Sequence, residues 1–410
     1  MSHSELNQLT RAEQLFDDSK LDEALEILSD WNQFEGLDLQ QKGYFQFLKG
    51  LILIYQNKYE ELIELGEQIF KEGQKFNENL QSLDGLYFII FGLGLANKFD
   101  KALKKIGKVE ALMRLFTNVS ENILIQREAR ISVLKAWINL RIVKPDLAEE
   151  CIEWIFNSQQ ELGNTFEIVW ANLIMTEIMV RIKSRYNLAM EYTKKALLVA
   201  KEIKFNHFWI GYCYLSFGVI YSSIGEFNIS LKYYMKCLKI FKEINNSWYF
   251  AMVLNNIGSS YAESGDYDLA LKYLEESLEL YEQLPETIFN IESPLDGLIS
   301  VSLEKGDIER AQKYFHRLEN IYFQKRDSNV ELVYQYNKAL MLKRSTRIRD
   351  KAKAEELLKH IIETESLFFD LIIKAHIHLC DLLLAEFQVN NNYEVFEEIN
   401  NYIAKLLTIA

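Results

Sequence analysis

Along most of the chain, apolar residues recur three and four positions apart, the spacing of one face of an α-helix. The pattern is clearest between Leu254 and Gln283. Leu254, Ile257 and Tyr261 form one stripe, and Tyr267, Ala270, Leu271, Leu274, Leu278 and Tyr281 form a second. Ser264-Gly265-Asp266 separates them. Glycine there suits the left-handed residue that ends a helix, Asp266 suits the cap of the next, and Asp268 suits that helix's positive end. The stretch predicts a helix hairpin. Gly258 and Ala270 are then small because the two helices cross closely between them, with Tyr261 and Tyr267 beside the crossing.

Forty residues earlier, Gly218, Tyr221, Gly225, Phe227, Ser230 and Tyr234 repeat the order Gly258, Tyr261, Gly265, Tyr267, Ala270 and Leu274. Self-similarity at such a period predicts stacked helix pairs. The small residue of each second helix phases the rest of the chain at Ala24, Leu62, Ala102, Ala148, Ala189, Ser230, Ala270, Ala311, Ala354 and Phe396. Breaks are expected at "QNKY", "ANKF", "KPDL", "SIGEF", "SGDY", "EKGDI" and "NNNY". The fold class that follows is all-α, a solenoid of about ten antiparallel helix pairs running continuously over residues 1–410. The clearest repeats are 208–245, 248–285 and 290–325, and those in 1–207 and 328–410 are degenerate.

Composition narrows the function. Three Pro and 17 Gly in 410 residues are few for a chain of several linked domains, and 49% apolar residues supply a large core. The net charge of -13 disfavours non-specific binding to nucleic acid or anionic lipid. Cys151, Cys213, Cys237 and Cys380 have no framework spacing, which fits free thiols and a cytoplasmic location. The polar N-terminus has no apolar signal core. The longest apolar run, Leu86 to Ala96, is too short for a bilayer and reads as a buried helix.

No motif carries catalytic chemistry. His376 and His378 point to opposite sides of a helix and cannot chelate together. His360 and Glu363 share a face without a third ligand. "FGLGLANK" lacks the glycine spacing and the Lys-Ser/Thr ending of a phosphate loop, and reads as the end of a first helix. No enzyme, cofactor or metal is therefore expected. The basic run Lys343 to Lys353 holds Lys343, Arg344, Arg347, Arg349, Lys351 and Lys353. It reads either as a solvated turn or as a grip for phosphate or an acidic partner. Aromatic stripes at Tyr44, Phe45 and Phe47 and at Tyr87, Phe88 and Phe91 either line a groove or pack between helices.

The Gly258, Tyr261, Gly265-Asp266-Tyr267, Ala270 combination resembles the tetratricopeptide repeat. "LNNIG" at Leu254 to Gly258 is similar to the longer-period members, such as those of kinesin light chains, and the segment from Tyr336 to Phe387 looks like long archaeal members. The family's terminal proline is matched only by Pro285, and its first-helix tryptophan is replaced by Leu254 and Tyr214. The resemblance implies a right-handed superhelix whose first helices line a concave face. It also implies groove positions on those helices: Asn255, Asn256 and Ser259 around Gly258; Tyr212, Leu215 and Ser222 around Gly218; and Arg130, Trp137, Arg141 and Arg181 in earlier repeats. Asparagine amides suit a peptide backbone and arginine forks suit carboxylates. The expected function is an interaction scaffold that binds a protein or peptide in this groove, one with acidic side chains or a free C-terminus. The alternative is a sensory or regulatory module that changes conformation on binding a peptide or small ligand. The last helix carries Ile399, Tyr402, Ile403, Leu406 and Leu407 as an apolar stripe. It is expected to contact another subunit, a partner or further residues, because solenoids close with a polar cap.

Overall fold

A computed structural model describes residues 3–29, 39–76, 78–114, 116, 119–284, 290–325, 328–364 and 369–409. The described residues form twenty-one helices and no strand. Twenty of these helices make ten consecutive pairs. The first five pairs are α1 (His3–Asp17) with α2 (Leu21–Ser29), α3 (Leu39–Tyr55) with α4 (Tyr59–Phe76), α5 (Asn79–Leu95) with α6 (Phe99–Met113), α7 (Glu121–Arg141) with α8 (Pro145–Asn157), and, after the one-turn α9 (Gln159–Leu162), α10 (Phe166–Arg181) with α11 (Tyr186–Ala200). They are followed by α12 (His207–Ser223) with α13 (Phe227–Glu243), α14 (Ser247–Glu263) with α15 (Tyr267–Gln283), α16 (Glu292–Glu304) with α17 (Ile308–Lys325), α18 (Ser328–Lys343) with α19 (Ile348–Glu363), and α20 (Phe369–Asn390) with α21 (Tyr393–Ile409). All seven expected breaks fall between the two helices of a pair. Pro285 lies outside the described residues.

The turns inside the pairs share one construction. A left-handed residue stands in nine of the ten: Ser19, Asn57, Asn97, Val143, Ser184, Gly225, Gly265, Gly306 and Asn391. In most of them the next backbone N–H returns to a carbonyl near the end of the first helix, as Asp266 N does to Tyr261 O at 2.9 Å and Lys144 N to Asn139 O at 2.8 Å. The α18–α19 turn is the exception, with no left-handed residue between Lys343 and Ile348. Asp266 accepts from Leu269 N at 3.2 Å and caps α15 as its position suggests.

Small residues let the paired helices approach. Ala24, Ala102, Ala148, Ala189, Ser230, Ala270 and Ala311 are fully buried, each the fourth residue of its helix. Leu62 takes that place in α4. A Cβ on Gly258 would stand 2.7 Å from Leu274 Cγ and 3.2 Å from Ala270 O. In the preceding pair, Ser230 Oγ donates to Gly218 O at 2.8 Å. The last two pairs depart from this pattern, and one expectation is corrected. Ala354 is buried but is the seventh residue of α19, because the turn before it is built differently. Phe396 is 40% exposed, so its ring does not fill the crossing of α20 and α21. The expected stripe on α21 is also divided: Ile399 packs into the core, Tyr402 and Leu406 are half-buried, and only Ile403 and Leu407 remain exposed.

Two compact units are distinguished: Met1–Val180 with Arg185–Val253, and Leu254–Ala410 with Arg181–Ser184. The run from Leu86 lies in α5, whose residues Leu86–Gly94 are all buried. Among the described residues no helix is long and apolar enough to cross a membrane.

Candidate ligand-binding face

In the first unit, Arg130, Trp137 and Arg141 are seven and four residues apart, which puts them on one face of α7. Each meets a counterpart on α10. Arg130 Nε lies 3.2 Å from Glu167 Oε1, the rings of Trp137 and Trp170 are 5.7 Å apart, and Arg141 pairs with Glu177. The result is a ladder with an ion pair at each end and two indoles between. Gly94 of α5 makes room for it, because a Cβ there would run into the Trp137 ring. The glycines of "FGLGLANK" are thus packing glycines at the end of a first helix.

Both guanidiniums are held from several sides. The Arg130 guanidinium carbon stands 4.3 Å from the Phe47 ring centroid and 5.8 Å from that of Phe166. Arg130 Nη1 is 3.8 Å from Asp84, which also takes Arg127 Nη2 at 2.8 Å. Burial works against the Arg141 cation, but Glu177, with further help from Tyr212 and Tyr249, holds its pKa above the usual arginine value. Arg130, Trp137, Arg141 and Tyr212 are all half-buried, so each retains some exposed surface.

The rest of this face is aromatic. Phe91 lies 5.1 Å from Trp170, Trp170 5.8 Å from Trp209, and Trp209 5.2 Å from Phe208. Phe208 stacks on Tyr55 at 4.7 Å and approaches Tyr212 at 6.3 Å. The aromatic stripes therefore pack chiefly on one another. Tyr55 also donates from its hydroxyl to Phe205 O at 2.9 Å, Phe205 stacks on Phe16 at 4.4 Å, and the Asn246 side chain donates to Tyr55 O. These contacts join the first two pairs to the turns before α12 and α14. Sequence reasoning missed both this closure and the partners Glu167 and Glu177.

In the second unit, Asn255 and Asn256 of α14 are half-buried and Ser259 is exposed. Asn255 Oδ1 is buried with no hydrogen-bond partner among the described residues. The following first helices bring together a polar row that sequence reasoning also missed. Asn337 Nδ2 of α18 donates to Asp296 Oδ1 of α16 at 2.8 Å, and Lys374 Nζ of α20 stands 4.0 Å from Asp296 Oδ2. Burial opposes the Lys374 cation, but Asp296, Asp370 and Glu263 raise its pKa. The signal for this row was the forty-odd-residue step from Asn255 and Asn256 to Asp296 and Asn337. Arg181, the last residue of α10, is half-buried and has interactions of its own.

Among the described residues no group of three His, Cys, Asp or Glu side chains is placed to hold a metal. His376 is buried with Nδ1 2.9 Å from Ile372 O, whereas His378 faces Lys343 at 3.1 Å. Cys213 and Cys237 are buried and all four cysteines are free. Burial pushes the thiols up, away from nucleophilic use.

Two tetratricopeptide-repeat family profiles match the chain, at residues 211–243 and 250–284. Residues 211–243 and 250–284 are thus tetratricopeptide repeats within the array of helix pairs. No curated protein matches the chain in sequence. Solved structures similar to this chain include a Rap protein complexed with Competence and Sporulation Factor, at 11% identity and a TM-score of 0.62, covering 100% of both chains. The apo form of the quorum sensor NprR from B. thuringiensis is similar at 14% identity and 0.58, covering 91% of this chain and 99% of that one. Aspartyl phosphate phosphatase F from Bacillus subtilis is similar at 13% and 0.55, covering 100% and 94%. At these identities the likeness is one of fold.

Proposed function

We propose that the chain is a binding module that takes a peptide or protein segment on the inward faces of its first helices, chiefly α7, α10 and α12. The observation that carries this reading is the α7 face, where Arg130, Trp137 and Arg141 stand together and each stays partly exposed. An indole between two guanidiniums suits a segment with an apolar side chain and a carboxylate, either acidic or C-terminal. Such a carboxylate would compete with Glu177 for Arg141. Asn256, in the second unit, is assigned a separate and weaker contact to a peptide backbone. The likeness to structures named for a bound factor and for quorum sensing supports a ligand-binding role. Self-association, in the same reading, uses Ile403 and Leu407 of α21.

The test compares peptides carrying a free C-terminus with their C-amidated twins by fluorescence polarisation against the intact chain. Charge-assisted contacts contribute about 1.5–3 kcal/mol each, so Arg130→Ala with Arg141→Ala should weaken free-carboxylate binding by more than roughly tenfold. Glu177→Gln removes the internal competitor and should tighten it. Equal binding by wild type and both charge variants would sink the site.

A second reading is a sensor that changes conformation when a ligand binds. It is favoured by the closure through Tyr55, Phe205 and Asn246, because a ligand wedged between first helices would load those contacts. Solution scattering of the intact chain with and without a bound peptide separates the two readings. An unchanged radius of gyration favours the scaffold.

A further inference from the structure

The basic run between α18 and α19 is divided by the structure into two parts. Lys343 Nζ is 3.1 Å from Asp381 Oδ2 and 3.1 Å from His378 Nδ1, and Arg344 is 3.4 Å from Glu304. Arg347, Arg349, Lys351 and Lys353 are all exposed and form no ion pair among the described residues. The one carboxylate inside the run, Asp350, takes the Ser345 hydroxyl at 2.6 Å. Nearby, Glu355 is held by Lys359 at 2.7 Å, and Glu356 is exposed. Between the free cations stands Ile348, 87% exposed, the most exposed large apolar side chain among the described residues.

Local physics opposes this arrangement. Arg349 and Lys351 sit in the first turn of α19, at the end of the helix that favours anions. Arg347 occupies the cap position and gives no side-chain cap. In a chain of net charge -13, four neighbouring cations are left without carboxylates while the two beside them are matched. A local sequence that breaks several rules together is the kind retained for use.

We propose that residues 347–353 are a docking surface for an acidic segment of a partner protein, with Ile348 as its apolar anchor. The site is separate from the α7 face and does not depend on that reading. Carboxylates match the two guanidinium forks and the two ammonium groups. Ile348 gains only from an apolar counterpart, which a phosphate backbone does not offer. A bilayer is a poor match, because Ala354, Leu358 and Ile361 of α19 are buried and leave Ile348 alone to enter the lipid.

The test uses the full chain and four probes: a glutamate-rich peptide with a central pair of leucines, its glutamine counterpart, a short DNA duplex and phosphatidylserine vesicles. The glutamate peptide should bind most tightly and should weaken with added salt. Arg347→Glu with Arg349→Glu should weaken it by roughly tenfold or more, and Ile348→Asn by about threefold or more, with helicity and thermal midpoint retained. The proposal is overturned if the charge-reversed variant binds equally well or if the glutamine peptide matches the glutamate peptide. It is also overturned if duplex or vesicles bind more tightly, or if Arg141→Ala abolishes the signal instead.

Discussion

The inward faces of the first helices differ between the two units. In the first unit, α3, α5, α7, α10 and α12 fill that face with rings, from Phe47 through Trp137, Trp170 and Trp209 to Tyr55, with ion pairs on α7 and α10. In the second, α16, α18 and α20 carry Asp296, Asn337 and Lys374 as a polar row over a core of Leu298, Ile299, Tyr336, Ala339 and Leu379. Yet most pairs in both are built alike, with a small residue at the crossing and a left-handed turn. Pair construction is therefore separable from what the inward face carries. That separation leaves the face free to be specialised for binding.

The sharpest way to break this comparison is Trp170→Ala. It removes a buried indole that touches Phe91, Trp137 and Trp209, and should cost about 3–5 kcal/mol in urea denaturation. Asn337→Ala, at the matching face of the second unit, loses one charge-assisted contact and should cost about 1.5–3 kcal/mol. Equal effects would mean that the two faces are energetically alike. Next in size, Gly218→Leu and Gly258→Leu should each destabilise by about 1–3 kcal/mol through overpacking, one against Tyr234 and the other against Leu274. A loss confined to one of them would show that the crossings are not equivalent.

Smaller still is the gain expected at Val143, a β-branched residue held at φ 60 in the α7–α8 turn. Val143→Gly should raise stability by about 1 kcal/mol, because the left-handed conformation no longer strains a Cβ. An unchanged thermal midpoint would place the strain elsewhere. The remaining effect depends on pH and lies in the second unit. Burial, then Lys343, lowers His378 from 6.5 to about 4. Below pH 6.5 the unfolded chain takes up a proton that the folded histidine refuses until about pH 4, so stability falls as the pH drops through that window. His378→Gln should flatten the decline in thermal midpoint between pH 7 and pH 5, and an identical slope in both proteins would exclude this group as its source.

The repeated turns and small residues were legible because their causes are local: a left-handed residue, a cap, an apolar stripe. Even there, the left-handed residue of the α7–α8 turn is a valine, so that break was marked only by Lys144-Pro145, and Phe396 stands where a small residue was expected. On the candidate face, the spacing of Arg130, Trp137 and Arg141 on α7 was readable. Their partners were not. Which carboxylate meets which arginine depends on the stagger of α10 against α7, and Glu167, Trp170 and Glu177 carry no mark of it. Asp296, Asn337 and Lys374 looked like ordinary surface residues for the same reason. The basic run was visible as charge, but only the packing of α20 and α16 shows that Lys343 and Arg344 are matched and the remaining four are not.

An array in which each repeat touches only its neighbours can fray or be shortened one unit at a time. The first unit has lost that freedom, since Tyr55 reaches Phe205 across 150 residues and Asn246 reaches Tyr55 across 191. Its native contacts close long loops, which slows folding and gathers the intervening pairs into one cooperative transition. Deleting α1 and α2 would strip Phe16 from Phe205 and Asp22 from Asn245. The damage would appear in hydrogen exchange as lost protection around α12 and α13, far along the chain from the cut.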